Sequence, residues 1–139
     1  MKLSKDVFLA LTAVAWADGV VSAKEADVLE RAAKAAGLIG ADLDAVQKAI
    51  RSHEVARKTA KATLSAEEGE FVYAVACLLS ASDGDVAEEE REAIATLADR
   101  LRIPFDVRAK AATASVAVGK ALGVGPDALD ALARELSRT

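Results

Sequence analysis

Residues 13–38 read AVAWADGVVSAKEADVLERAAKAAGL, and residues 74–104 read AVACLLSASDGDVAEEEREAIATLADRLRIP. Sliding the chain on itself by 65 positions sets Asp18-Gly19 on Asp83-Gly84, Val21 on Val86 and Glu25 on Glu90. Val7 then falls on Val72, Phe8 on Tyr73, Leu29 on Ile94, Ala33 on Ala98 and Leu38 on Ile103. Each half is a helix, an Asp-Gly turn, a Val, and a second helix with Glu in its first turn. Glycine breaks the first helix, and Ser22 with Glu25 makes the Ser-x-x-Glu capping box that opens the second. The simplest physical reading is two helical hairpins packed face to face about a pseudo-twofold axis. Two copies are too few for a solenoid.

Working outward, the first helix begins near Ser4 and ends by Ala17, and the second stops at Gly37. A third covers roughly 42–52, and the basic stretch 54–63 is either a loose helix or a connector. Ser65 and Glu68 form another capping box, opening a helix through Ala81. Helices follow over about 87–101, about 105–122 after Pro104, and from beyond Pro126 to about Ser137. No strict alternation lasts a strand's length. The spacing therefore predicts an all-α fold, a compact bundle of about seven helices. It occupies 1–139 as a single domain, with repeat halves at about 4–38 and 66–104 and C-terminal helices over 105–138.

Composition narrows the function classes. With 53% hydrophobic and 29% charged residues the chain is too apolar for disorder and too charged for a membrane span. One Cys and one His exclude an internal disulfide, a cysteine zinc cluster and any motif needing two imidazoles. A net charge of −4 argues against a general nucleic-acid binder. Lys2, Lys5 and the apolar run from Val7 to Ala17 imitate a signal peptide, but Asp6 puts a negative charge at its edge and a similar segment recurs inside the chain. The expected location is cytoplasmic.

The candidate site follows from where the carboxylates point. Leu3, Val7, Leu11 and Val14 share a helical stripe whose next step is Asp18, and Val72, Ala76 and Leu79 lead likewise to Asp83. Glu25 shares a stripe with Val21, Val28 and Ala32, as Glu90 does with Val86 and Leu97. Charges at the ends of apolar stripes need backbone N–H groups, a basic side chain, a proton or a cation. Capping answers for Glu25 through Ser22, whereas the aligned cap position before Glu90 is Ala87, which has no side-chain oxygen. The competing reading is a divalent-cation site built from Asp18, Glu25, Asp83, Asp85 and Glu90. Oxygen ligands favour Ca²⁺ or Mg²⁺ there. It is not an EF-hand, because the loop after Asp83 lacks the glycine at position six and the acid at twelve.

With these residues the chain resembles the TerB-like family of tellurite-resistance proteins, which also includes the N-terminal region of certain membrane-anchored J-domain co-chaperones. The two stretches quoted above carry the resemblance, through Asp-Gly-x-Val and a Glu four residues after the Val in both halves. It covers about 130 residues of the chain. The resemblance implies a non-enzymatic protein of tellurite and other stress responses, with an acidic metal-ion site to which Asp18, Glu25, Asp83 and Glu90 correspond. Asp85 has Val20 as its counterpart and stands outside the doubled pattern. No J-domain signature occurs, so any membrane or co-chaperone role would come only through association with partners.

Other residues have plainer readings. Lys48, Arg51, His53, Arg57, Lys58 and Lys61 form a basic region without interleaved aromatics, hence a solvated face rather than a nucleic-acid surface. His53 has no nucleophile near it in sequence. Cys77 reads as a small core residue, and Trp16 as core or rim packing that would anchor a partner protein if exposed. A third class, an enzyme using paired carboxylates, needs one of them beside a cleft with a strongly raised pKa. The expected activity is therefore binding of a divalent cation, a protein partner or both. The alternative is a structural interaction module whose acidic turns only cap helices.

Overall fold

The computed structural model describes residues 4–16, 21–59, 64–81, 88–123 and 126–136, with backbone only for 79–81, 88–90, 93 and 126. The fold is all-α among these residues. Eight helices follow one another: α1 (Lys5–Ala15), α2 (Ala23–Ala35), α3 (Gly40–Arg51), α4 (His53–Thr59), α5 (Ala66–Ala81), α6 (Glu88–Arg100), α7 (Phe105–Leu122) and α8 (Pro126–Leu136). Two compact units result, Lys2–Thr63 and Leu64–Thr139.

In the first unit α1 packs against α2, α3 and α4. Its sequence explains that central place. Val7, Phe8, Leu9, Leu11 and Ala15 are all buried, so the helix is apolar on more than one side and needs cover from more than one neighbour. The single amphipathic stripe expected from the sequence understates this. Thr12 is also buried, and its hydroxyl donates to the Leu9 carbonyl at 2.7 Å, which removes the cost of an unpaired polar group.

α2 opens on the predicted capping box and closes in a Schellman turn. The Gly37 N–H donates to Lys34 O at 3.0 Å and the Leu38 N–H to Ala33 O at 3.1 Å, with Gly37 at φ +92° and Leu38 buried beneath the turn. α3 follows, burying Val46, Ala49 and Ile50. The basic stretch after it contains a helix, α4, capped by Ser52, whose hydroxyl accepts the Val55 N–H at 3.3 Å. Ala56 is its one buried residue, too weak an apolar signal to read from sequence. With α4 the count is eight described helices, where about seven were expected.

The second unit repeats this plan. α5 buries Phe71, Val72, Ala74, Val75, Ala76 and Leu78, and packs against α6, α7 and α8. The 65-residue shift carries α2 onto α6 end to end and the start of α3 onto the start of α7. The α6 turn repeats the α2 turn bond for bond: Arg102 N–H donates to Asp99 O at 3.1 Å and Ile103 N–H to Ala98 O at 3.0 Å. Arg102 takes the place of Gly37 at φ +55°. The duplication thus extends past the two hairpins into a third helix. α4 and α8 hold matching places in the order and in their neighbours, but at a longer shift, because α7 is 18 residues long against 12 for α3.

Candidate functional site

Of the five acidic residues singled out above, Glu25 is the one whose side chain is described. Its Oε1 accepts the Ser22 N–H at 3.2 Å while the Ser22 hydroxyl accepts the Glu25 N–H at 3.0 Å. Two helix N-terminal donors are satisfied reciprocally, and the carboxylate lies in the first turn, where the helix dipole favours negative charge. The same pair recurs at Ser65 and Glu68, at 2.9 and 3.2 Å. Asp18, Asp83 and Asp85 lie outside the described residues, and Glu90 is placed only by its backbone in the first turn of α6. Among the described residues no group of three or more His, Cys, Asp or Glu side chains is arranged to hold a metal ion.

An aromatic pair stands at the end of α1. Trp16, at the C-cap of α1, donates its indole N–H to Ala49 O in α3 at 3.0 Å. Its ring stacks on His53 at the start of α4, with centroids 5.4 Å apart and planes within 4°. Trp16 therefore ties three helices of the first unit together and is half-buried, the rim role expected of it. The pairing with His53 had no sequence signal, since the two residues are 37 positions apart.

The other single-copy side chains are also committed. Cys77 is half-buried in α5. Burial pushes its thiol pKa up, and a hydrogen bond with Tyr73, one turn earlier, offsets this in part. Burial raises the Tyr73 phenol as well, reinforced by Cys77. Both groups stay protonated at neutral pH, which is unsuited to a nucleophile. In the basic region, Lys48 pairs with Asp44 and Lys58 with Glu54, each at 3.0 Å, both across exposed helix turns. Lys61 lies outside the described residues.

Among the described residues no helix is long and apolar enough to cross a membrane. Compared with known proteins, the chain matches no family model, no curated protein and no solved structure.

Proposed function

We propose that this chain is a non-enzymatic, TerB-like binding module of a stress response, acting through a protein partner, in which the acidic turns serve first as helix caps. The carrying observation is the reciprocal Ser22–Glu25 pair, which gives the Glu25 carboxylate a structural task. The doubled Asp-Gly-x-Val…Glu pattern supports the TerB-like reading. The raised pKa of the Cys77 thiol, unsuited to a nucleophile, favours binding over catalysis.

The competing arrangement, Ca²⁺ or Mg²⁺ held by Asp18, Glu25, Asp83, Asp85 and Glu90, separates from capping in one experiment. Glu25→Gln keeps the capping box, because glutamine fills the same position, but removes the charge a cation needs. Backbone amide shifts are followed while Ca²⁺ or Mg²⁺ is added to wild type, to Glu25→Gln and to Asp18→Asn/Asp83→Asn. Capping predicts no saturable shifts at the two turns and a Glu25→Gln stability within about 0.5 kcal/mol of wild type. Saturable shifts at both turns that vanish in the variants would replace capping with the cation site.

A further inference from the structure

The two copies of the third helix differ in the surfaces they present. On α3 the outward residues include Gly40, Asp44, Lys48 and Arg51, and the Asp44–Lys48 ion pair satisfies its own charges. At the 65-residue shift, α7 presents Phe105, Ala109, Thr113 and Val116 in those places. Phe105 is 81% exposed and Val116 49% exposed. The Phe105 ring is nevertheless held in place, because the Arg108 guanidinium lies over it at 4.6 Å. A pre-positioned aromatic on a mixed helix face, which also exposes Asp106, Lys110 and Lys120, has the anatomy of an interface anchor.

We propose that this face of α7 pairs with α7 of a second copy of the chain, antiparallel, across a twofold axis passing by Thr113. Two pairs of positions on the face match about that residue, while Lys110 and Val116, three to either side, do not. Ala109 and Ala117 lie four positions to either side, which lets two helix backbones approach closely along their i±4 ridges. Asp106 lies seven positions before Thr113 and Lys120 seven after, so all three share one face. In an antiparallel pair each Asp106 meets the partner's Lys120. A closed twofold contact needs this kind of matching between a patch and itself. Neither Asp106 nor Lys120 makes an ion pair among the described residues. The proposal stands whether or not the acidic turns bind a cation.

One helix face lies at the low end of interface size, so the predicted dimer is weak, with a dissociation constant on the order of 10–100 μM. Sedimentation equilibrium on the full chain tests it, with Asp106→Lys, Lys120→Asp, the double exchange and Val116→Lys beside wild type. Each single reversal sets like charges against each other and is expected to raise the dissociation constant about tenfold or more. The double exchange restores the match and should return it to within about threefold of wild type. Val116→Lys should leave a monomer, with thermal melts confirming that each variant is folded. Asp106 and Lys120 also complement the α7 dipole, and if that were their whole role the double exchange would be the worst variant instead of the rescued one. A wild type monomeric at about 1 mM overturns the proposal, as does a dimer indifferent to these substitutions. So would a monomer whose α7 amides shift only with anionic vesicles or an added helical peptide.

Discussion

The two units share a frame down to single hydrogen bonds, yet they solve the same turn with different residues. After α2 the left-handed position is Gly37, where no Cβ opposes the conformation. After α6 it is Arg102, which bears the steric cost of φ +55°. The second unit braces this turn with an arginine, whereas in the first unit α3 is tied to α2 by Gln47 Nε2 donating to Glu30 Oε1 at 3.0 Å. Arg108 donates from Nε to the Ile103 carbonyl at 2.8 Å and from its guanidinium to Asp99 at 3.0 Å, holding the turn onto α7. Its counterpart in α3 is Leu43. Backbone geometry is conserved between the units where it sets the path of the chain, and the side chains that secure it differ.

The largest expected contrast lies in the central helices. Phe8 in α1 is fully buried while its counterpart Tyr73 in α5 is only half-buried. Phe8→Ala should cost about 3–5 kcal/mol in urea unfolding, and Tyr73→Ala about half as much. Equal losses would mean that the two helices are equally enclosed. The brace comes next: Arg108→Ala removes a charge-assisted bond to a backbone carbonyl and should cost about 1.5–3 kcal/mol, against less than about 1 kcal/mol for Leu43→Ala. Most of that loss belongs to the Ile103 bond, because Asp99 is largely exposed and its ion pair is screened.

The turns themselves give a smaller, oppositely signed pair. Gly37→Ala should lose about 1 kcal/mol, and Arg102→Gly should gain about 0.5 kcal/mol. A loss at Arg102→Gly would show that the arginine side chain does more for the turn than its backbone strain costs. The smallest effect is on pH dependence. Thr12 occupies in α1 the place of Cys77 in α5, so only the second unit carries a titrating thiol there. The folded protein holds the Cys77 proton more tightly than the unfolded chain does. Its contribution is complete below the unfolded thiol value of about 8.5 and declines as pH rises through the higher folded value. Cys77→Ala should flatten that alkaline decline in urea midpoints; an unchanged slope would assign it to other groups.

Much of the frame was legible from residues alone. The capping boxes at Ser22 and Ser65, the stop at Gly37 and the helix after Pro104 are local chemistry, set by side chains within four positions of the bonds they make. The extension of the duplication into α3 and α7 was hidden because Val46, Ala49 and Ile50 became Ala111, Ala114 and Ser115, which keep the buried positions but lose the apolar signature. Arg102 was hidden for a related reason, since its left-handed backbone is imposed by the turn's hydrogen bonds and not by its own preference. The stack of Trp16 on His53 depends on how α1 meets α4, which no short-range pattern encodes. Of the acidic site, sequence gave Glu25 both a capping and a ligand reading, and the capping bonds are the part the structure displays.

Native-state amide hydrogen exchange, resolved residue by residue, tests most directly the claim that one four-helix unit is written twice around a buried central helix. The slowest amides should form two islands, one in α1 around Val7 and Leu11 and one in α5 around Val72 and Ala76. Slow exchange confined to one of these helices, or centred instead on α2 or α6, would contradict it.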